Sequence, residues 1–349
     1  MNKDELKSKV PKLLGEILPF GGTEPHIQSH IKMPQDMVSP DMVVKFRVSG
    51  RMRQLVIEVK PLGYPSQLLQ ALAPLKKAAE RLKGYPMIIT DSISERGASL
   101  LKDAGVCYID LCGNCYLKID GMYIEKSGKE KAKRPSGELR RLFSTKATRI
   151  IRTLLEFHKK PWEAVKLAEA SKVSVGHAYK VTKKLIEQGF LTEEKHKLHL
   201  IDAGKLLDAW AEQYKINPSS IRSFYTGLKD TSKFMANIAQ AAKRKKLTCA
   251  FTLHAGESLV APFTRFTDVH FYLCEPVSDS ILEAFNLERI EFGGTVHIIE
   301  PYDGGVFQHL QAINSIPVVC NTQLYLDLFQ YPTRGKEAAK FLREQKMEI

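Results

Sequence analysis

The sequence predicts an α/β protein of several domains, and three observations support this. The chain has 349 residues, enough for two or three domains that each bury a core. In its first third, short apolar and β-branched runs lie between helical patterns, and its last third again alternates strand-like and helical stretches. Between them lies a basic segment with three helical patterns followed by two short strand-like runs.

Two strand-like runs in the N-terminal third, 42–46 and 55–59, predict a β-hairpin. Asp41 begins the first strand and Glu58 ends the second, and these ends lie side by side in an antiparallel pair. Side chains alternate across a strand, so Glu58 and Lys60 share a face. Two carboxylates can hold Mg²⁺ with water completing the octahedron, and a lysine can assist an attacking water or neutralise a phosphate.

The motifs Pro40-Asp41 and Glu58-Val59-Lys60 resemble those of the PD-(D/E)XK nuclease superfamily, which includes restriction endonucleases. The resemblance implies a restriction-endonuclease-like α/β domain over residues 1–128. A surface hairpin whose terminal charges are merely solvated is the alternative, since short E-x-K strings also arise by chance. Cleavage activity does not follow from such a fold.

The same resemblance assigns two further residues. A predicted helix over 4–18 carries Glu16, which could be the additional acid that some members have, and Gln67 lies near the start of the helix after the hairpin, where such nucleases often carry a glutamine. The candidate catalytic residues are therefore Asp41, Glu58, Lys60 and Gln67, and the candidate metal ligands are Asp41, Glu58 and Glu16.

Charge favours a polyanionic partner. The chain has 52 basic and 39 acidic residues, a formal net charge of +13, which suits DNA or an anionic membrane surface. No apolar run approaches the roughly 20 residues of a membrane-spanning helix, and the N-terminus lacks the apolar core of a signal peptide. We therefore expect a cytoplasmic protein without a membrane partner.

The six cysteines show no regular framework and are expected to be reduced in a cytosol. Cys112 and Cys115 have the spacing of a redox pair or of half a zinc site, but no second C-x-x-C completes four ligands. The intervening Gly113-Asn114 lies between strand-like runs and predicts a hairpin turn.

A basic linker is predicted over residues 129–143, and the segment after it has the order of a winged helix-turn-helix, predicted over 144–214. Ser174 is a good N-cap for its third helix. The helical patterns span 145–157, 162–170 and 175–188, and the ribbon with a basic tip follows over 190–201.

The N-terminal residues of the third helix in such a motif reach into the major groove of DNA. We expect His177 to contact a phosphate or a base, because no second metal ligand lies one turn away. A three-helix subdomain with a charged face, or a winged helix used for protein contacts, is the alternative. The candidate DNA-binding residues are Arg140, Arg141, Lys146, Ser174, His177, Lys180, Lys183, Lys184, Lys195 and Lys197.

Residues 215–349 predict a further mixed α/β domain. It resembles nucleotidyltransferase folds, in which a turn of small residues follows the first strand and a pair of acids lies on the next. Residues 255–258 could be that turn, but the acid pair is reduced to Asp268-Val269-His270. Histidine is a poor Mg²⁺ ligand, so nucleotidyltransferase chemistry is not expected.

Several longer segments look like AbiEi-type antitoxins of type IV toxin-antitoxin systems. They are Gly105–Leu117, the winged-helix segment after Leu142, Asp208–Tyr214, Glu300–Asp303, Gln323–Leu328 and Arg334–Ala339. The resemblance implies a transcriptional regulator whose winged helix binds an operator, and whose C-terminal domain serves autoregulation or antagonises a toxin that it does not bind tightly. The best-known antitoxins of this kind lack a nuclease-like N-terminal third.

Two hypotheses follow. The first is a DNA-binding transcriptional regulator without enzymatic activity, and the second is a Mg²⁺-dependent DNA endonuclease of a defence system, targeted by the winged helix. Mg²⁺ is a cofactor only in the second. Both need double-stranded DNA as partner, and winged-helix proteins often read paired half-sites as homodimers. We favour the regulator, because both hypotheses require the winged helix.

Overall fold

The computed structural model describes residues 2–18, 26–29, 31–34, 37–48, 50–126, 142–291 and 293–349. These residues form a mixed α/β structure with two seven-stranded sheets and one two-stranded ribbon. The chain divides into two compact units, Met1–Leu139 with Leu185–Gly189, and Arg140–Lys184 with Phe190–Ile349. Each unit is described by itself.

The first unit contains one of the two large sheets. Its helices are α1 (Lys3–Ile17), α2 (Pro65–Arg81) and α3 (Glu95–Asp103), and its strands are β1 (His26–Ser29), β2 (Met42–Val48), β3 (Arg51–Lys60), β4 (Tyr85–Thr90), β5 (Cys107–Asp110), β6 (Cys115–Ile119) and β7 (Met122–Lys126).

The strands of this sheet lie in chain order. The hairpin of β2 and β3 is antiparallel as expected, β3, β4 and β5 are parallel neighbours joined through α2 and α3, and the sheet ends in antiparallel pairs. Both faces are covered. Leu55, Ile57 and Val59 share a core with apolar residues of α1, whereas Val56 shares another with α2.

The Cys112-to-Cys115 segment is a turn between β5 and β6, stabilised by the buried carboxylate of Asp110. One oxygen accepts from the backbone amides of Cys112 and Asn114, each at 2.9 Å. The other accepts from the Ile93 amide at 2.9 Å and the Asn114 side chain at 2.8 Å. The predicted hairpin turn is confirmed. Burial also raises the pKa of the Cys115 thiol, which therefore stays protonated at neutral pH.

The second unit begins with three helices and a ribbon: α4 (Thr145–Glu156), α5 (Ala164–Ala170), α6 (Val175–Glu187), β8 (Leu191–Glu194) and β9 (Lys197–Leu200). Of α6, the residues through Lys184 belong to this unit. The prediction that α5 starts at Trp162 is wrong. Trp162 exchanges two backbone hydrogen bonds with Leu198, at 2.9 and 2.7 Å, and so extends the ribbon by a bridge.

The remainder of the second unit is built on the other large sheet, of strand order β13-β10-β14-β12-β11-β16-β15. Its strands are β10 (Ile221–Tyr225), β11 (Cys249–Thr252), β12 (Val269–Leu273), β13 (Glu288–Arg289), β14 (Val296–Ile299), β15 (Gln311–Ile313) and β16 (Ile316–Val318). Its helices are α7 (Ala203–Gln213), α8 (Thr231–Lys245), α9 (Leu253–Val260), α10 (Asp279–Phe285), α11 (Asn321–Gln330) and α12 (Gly335–Leu342).

Two features of this part differ from the sequence-based expectation. Residues 255–258 lie inside α9 rather than in a turn, and Gly256 is needed there because a Cβ would come within 3.0 Å of the Phe251 carbonyl oxygen. The amphipathic helix α8 had not been predicted. Its apolar residues Phe234, Met235 and Ile238 are buried in the main core of the unit.

Replacing Asp110 by Ala should destabilise the first unit, because it leaves the turn amides without their acceptor. We expect a loss of about 3 kcal/mol in the free energy of unfolding, measured by urea denaturation. Asp120→Ala is the matched control, since that side chain is 77% exposed, and it should change stability by less than about 0.5 kcal/mol. Equal effects of both variants would contradict this assignment.

Candidate functional site

Asp41 and Glu58 lie side by side at the end of the β2–β3 hairpin. Met42 pairs with Ile57, which puts the residues just beyond them opposite each other. The Asp41 amide donates to the Ile57 carbonyl at 3.0 Å, and the Val59 amide donates to Asp41 Oδ2 at 2.8 Å. The structure thus brings the two acids together as the antiparallel pairing predicts.

Three lysine ammonium groups surround this acid pair. Lys60 Nζ lies 3.1 Å from Glu58 Oε1, in agreement with the shared face predicted for these residues. Lys3 Nζ lies 2.8 Å from Asp41 Oδ2 and 3.4 Å from Glu58 Oε1, and Lys7 Nζ lies 2.7 Å from Asp41 Oδ1. Sequence reasoning missed Lys3 and Lys7, although their i, i+4 spacing puts both on one face of α1.

The two acids differ little in exposure, with 9% of the Asp41 side chain and 13% of the Glu58 side chain reaching solvent. Burial by itself raises the pKa of Asp41. The hydrogen bonds from Lys3, Lys7 and the Val59 amide outweigh that effect, so the pKa of Asp41 is lowered. Asp41 is therefore a carboxylate at neutral pH.

The other two residues proposed for this site do not join it. Glu16 is exposed near the end of α1, nine residues beyond Lys7, or about 13 Å along the helix axis. Gln67 lies in the first turn of α2, half-buried. Among the described residues, its side chain makes no hydrogen bond to Asp41 or Glu58.

The donor set does not fit Mg²⁺. Within the described ranges, no group of three or more His, Cys, Asp or Glu side chains is placed to hold a metal ion. An ion shared by Asp41 and Glu58 would have to lie where the Lys3 ammonium bonds both. Mg²⁺ also requires near-ideal octahedral oxygen ligation, and ammonium groups supply no lone pair.

In the second unit, the outward face of α6 is basic between Lys180 and Lys184. Ala178, Val181 and Leu185 are buried, so the side chains between them point outward. The predicted contacts Ser174, Lys180, Lys183 and Lys184 are exposed, as is Lys146 in the first turn of α4. Arg140 and Arg141 lie outside the described residues.

His177 lies within this basic face and is half-buried. Partial burial lowers its pKa, and the positive charges of Lys146, Lys180 and Lys184 lower it further. Its imidazole is therefore neutral at pH 7, and its Nε2 has no hydrogen-bond partner among the described residues. The positive charges of the three lysines oppose the binding of a metal cation at this ring.

Sequence reasoning missed one aromatic residue on this face. Tyr179 is 58% exposed and Val175, one turn earlier, is 40% exposed. Both could have been found from their position on the helix face opposite the buried stripe.

The ribbon ends in the turn Lys195-His196, where both residues have positive φ, as a two-residue hairpin turn of type I′ requires. Lys195 and Lys197 are exposed, but so are Glu193 and Glu194, so the tip is of mixed charge rather than basic throughout.

Helix α4 is joined to the α/β part of the same unit by a partly buried ion pair and by the buried side chain of Arg152. Arg149 binds Asp303 with two hydrogen bonds of 2.6 and 2.8 Å. Arg152 is fully buried, and its Nη2 donates to the Tyr302 hydroxyl at 2.7 Å and to Gln323 Oε1 at 2.6 Å. Its Nε and Nη1 have no hydrogen-bond partner among the described residues, so the two bonds of Nη2 offset only part of the cost of burying this charge.

Gln323 continues the network to Asp327, another fully buried residue. Asp327 accepts hydrogen bonds from Gln323 at 2.8 Å, Tyr214 at 2.6 Å, Tyr272 at 3.0 Å and Thr252 at 2.5 Å. Burial raises the pKa of Asp327 to about 6, against the lowering effect of its four donors.

Residues 199–348 match the family model described as "Transcriptional regulator, AbiEi antitoxin, Type IV TA system". Searches of curated proteins and of solved structures each gave no match. The AbiEi-matching segment begins in β9, and so it excludes the first unit, α4 and α6. In the part of the chain that the structure describes, no helix has both the length and the apolar character needed to cross a membrane.

The AbiEi-matching segment supplies most of the buried network. Trp210, Tyr214, Tyr302, Gln323 and Asp327 lie within it, and each belongs to one of the sequence segments that carry the resemblance. Arg149 and Arg152 lie outside it, in α4. Tyr302, Asp303 and Gln323 of the matched segment therefore bind the helix that precedes it.

The Asp268-Val269-His270 position shows no catalytic acid pair. The rings of His270 and His297 stack with centroids 4.4 Å apart, and Asp268 Oδ2 lies 3.7 Å from His297 Nε2. Burial, reinforced by the neighbouring His297, lowers the pKa of His270 to about 4. Both rings are neutral at pH 7, and the arrangement offers one carboxylate where two would be required.

Asp327 makes unfolding pH-dependent in a known direction. Its folded-state pKa of about 6 lies above the ordinary value of 3.8, so its contribution to stability is fully present below about pH 4 and is lost as the pH rises through about 6. Asp327→Asn should remove this dependence. In urea denaturation between pH 4 and 7, the free energy of unfolding of the variant should rise relative to that of the wild type as the pH rises.

Asp303 is the control with the opposite sign, because its hydrogen bonds with Arg149 lower its pKa although burial raises it. Its contribution to the free energy of unfolding is present above pH 4 and is lost in acid. The difference in that free energy between wild type and Asp303→Asn should therefore shrink as the pH falls. Parallel pH profiles of wild type and Asp327→Asn would refute the assignment for Asp327.

Proposed function

We propose that the protein is a DNA-binding transcriptional regulator with the role of an antitoxin in a type IV toxin-antitoxin system. In this proposal residues 144–214 are a winged helix-turn-helix that binds an operator in double-stranded DNA. The observation that carries it is the face of α6, where exposed Lys180 and Lys184, with Lys146 of α4, lie around a neutral, half-buried His177. Lys183, next to Lys184 in the sequence, is exposed as well.

Topology supports the same proposal. Three helices are followed by an antiparallel ribbon, and Trp162 between the first and second helix bridges to that ribbon. Such an arrangement lets the third helix enter the major groove while the ribbon contacts the backbone. The description of the family matched by residues 199–348 supports transcriptional regulation and an antitoxin role.

In this proposal each remaining part has a role. Residues 215–349 are a nucleotidyltransferase-like domain that lacks nucleotidyltransferase chemistry and supports autoregulation or antagonism of a toxin. Residues 1–128 keep the nuclease-like fold without its metal-dependent cleavage, and the basic linker 129–143 adds phosphate contacts through Arg140 and Arg141. Operator binding implies a cytoplasmic location, and a homodimer would read paired half-sites.

Lysines on α6 should give DNA affinity a strong salt dependence. We expect Lys180→Gln with Lys184→Gln to weaken binding to any duplex and to reduce the slope of log affinity against log salt by about 2, since each phosphate contact contributes roughly 0.9. Fluorescence anisotropy with a labelled 30-base-pair duplex over a potassium chloride series measures both quantities.

The matched control is Lys229→Gln with Lys340→Gln, two exposed lysines outside residues 144–214. It removes the same charge and should leave the salt slope unchanged. If the wild type showed no salt-sensitive binding to duplex DNA, or if both double variants lost the same slope, the proposed interface would be wrong.

A further inference from the structure

We propose that Lys3, whose side chain is 40% exposed, is an intramolecular cation that takes the place of a divalent metal between Asp41 and Glu58. The first unit then keeps its acid pair closed by helix α1 and binds no metal ion there. The observation that carries this proposal is that a single ammonium group bonds both carboxylates, at 2.8 and 3.4 Å.

Both oxygens of Asp41 already accept hydrogen bonds. Oδ1 accepts from Lys7 at 2.7 Å, and Oδ2 accepts from Lys3 and from the Val59 amide, each at 2.8 Å. Oδ2, the oxygen nearer to Glu58 through Lys3, thus has both lone pairs occupied, so a metal ion that bridges it to Glu58 would have to displace the Lys3 ammonium group. The backbone amide cannot leave without breaking the end of the hairpin.

Charge acts in the same direction. Two carboxylates with Lys3, Lys7 and Lys60 carry a net charge of +1, so an approaching Mg²⁺ meets repulsion rather than the net negative site that holds hard cations. Without Lys3 and Lys7 the same cluster would be negative by one unit.

Packing delivers the lysines to this place. Leu6, Val10 and Leu14 are fully buried and fix α1 on the sheet, while the Asn2 side chain caps the helix start. A lysine in the first turn is disfavoured by the helix dipole. Its attraction to two partly buried carboxylates offsets that cost, and this gives Lys3 a physical reason to lie at the start of the helix.

Mn²⁺ binding to the full-length protein tests the proposal, followed by electron paramagnetic resonance of the free ion. Wild type and Glu58→Gln should bind the same amount of Mn²⁺, because no ion is expected at Glu58 in the wild type. Lys3→Met with Lys7→Met should gain about one bound ion per chain, and adding Glu58→Gln to it should abolish the gain. Lys9→Met with Lys12→Met, which removes equal charge from the same helix, should behave as wild type.

Circular dichroism establishes that each variant is folded. Wild-type Mn²⁺ binding that disappears in Glu58→Gln would overturn the proposal, and this comparison does not depend on the lysine variants. A folded Lys3→Met, Lys7→Met protein without gained Mn²⁺ would also overturn it. Because DNA binding is not measured, the result is independent of the proposed regulator function.

Discussion

The second unit depends on one buried interaction, the hydrogen bonding of Arg152 in α4 to Gln323 in α11. The guanidinium of Arg152 is removed from water, and among the described residues only its Nη2 finds acceptors, Gln323 and Tyr302. The Trp210 ring lies against the charged group at 5.3 Å. Separating α4 from the α/β part would return Arg152 to water but would leave Gln323, beside the buried Asp327, without this donor. The first helix of the proposed winged helix is therefore an integral part of the second unit.

This network explains why the resemblance to AbiEi-type antitoxins could be found from sequence. Gln323 and Asp327 look like surface or catalytic residues in a sequence, but the structure buries both as hydrogen-bonding partners, while Tyr302, 43% exposed, bonds Arg152. Buried polar groups must be satisfied in one particular geometry, so their spacing forms a recognisable pattern. The match supports the resemblance over residues 199–348, whereas Gly105–Leu117 lies outside it. Nothing in the sequence indicated that Arg149 and Arg152 complete the network.

Elements with a strong periodic signal were predictable, and tertiary contacts were not. The hairpin with Asp41, Glu58 and Lys60 followed from alternation and antiparallel pairing. Residues 255–258 were misassigned because small residues suggest a turn, whereas Gly256 is small to let α9 approach β11. Lys3 and Lys7 could not be assigned to the acid pair, because only the packing of α1 on the sheet brings residues so distant in sequence to Asp41.

Lysine has two opposite uses in this chain, and the net charge of +13 does not distinguish them. In the first unit Lys3 and Lys7 form ion pairs with partly buried carboxylates. On α6, Lys180 and Lys184 are exposed, and their positive charges help to lower the pKa of His177. Only the second kind leaves a field that extends into solvent and attracts phosphate. The two uses of lysine differ in whether an acidic side chain lies within reach. In the first unit the lysines occupy the acid pair Asp41 and Glu58, whereas on α6 they remain available to an anion.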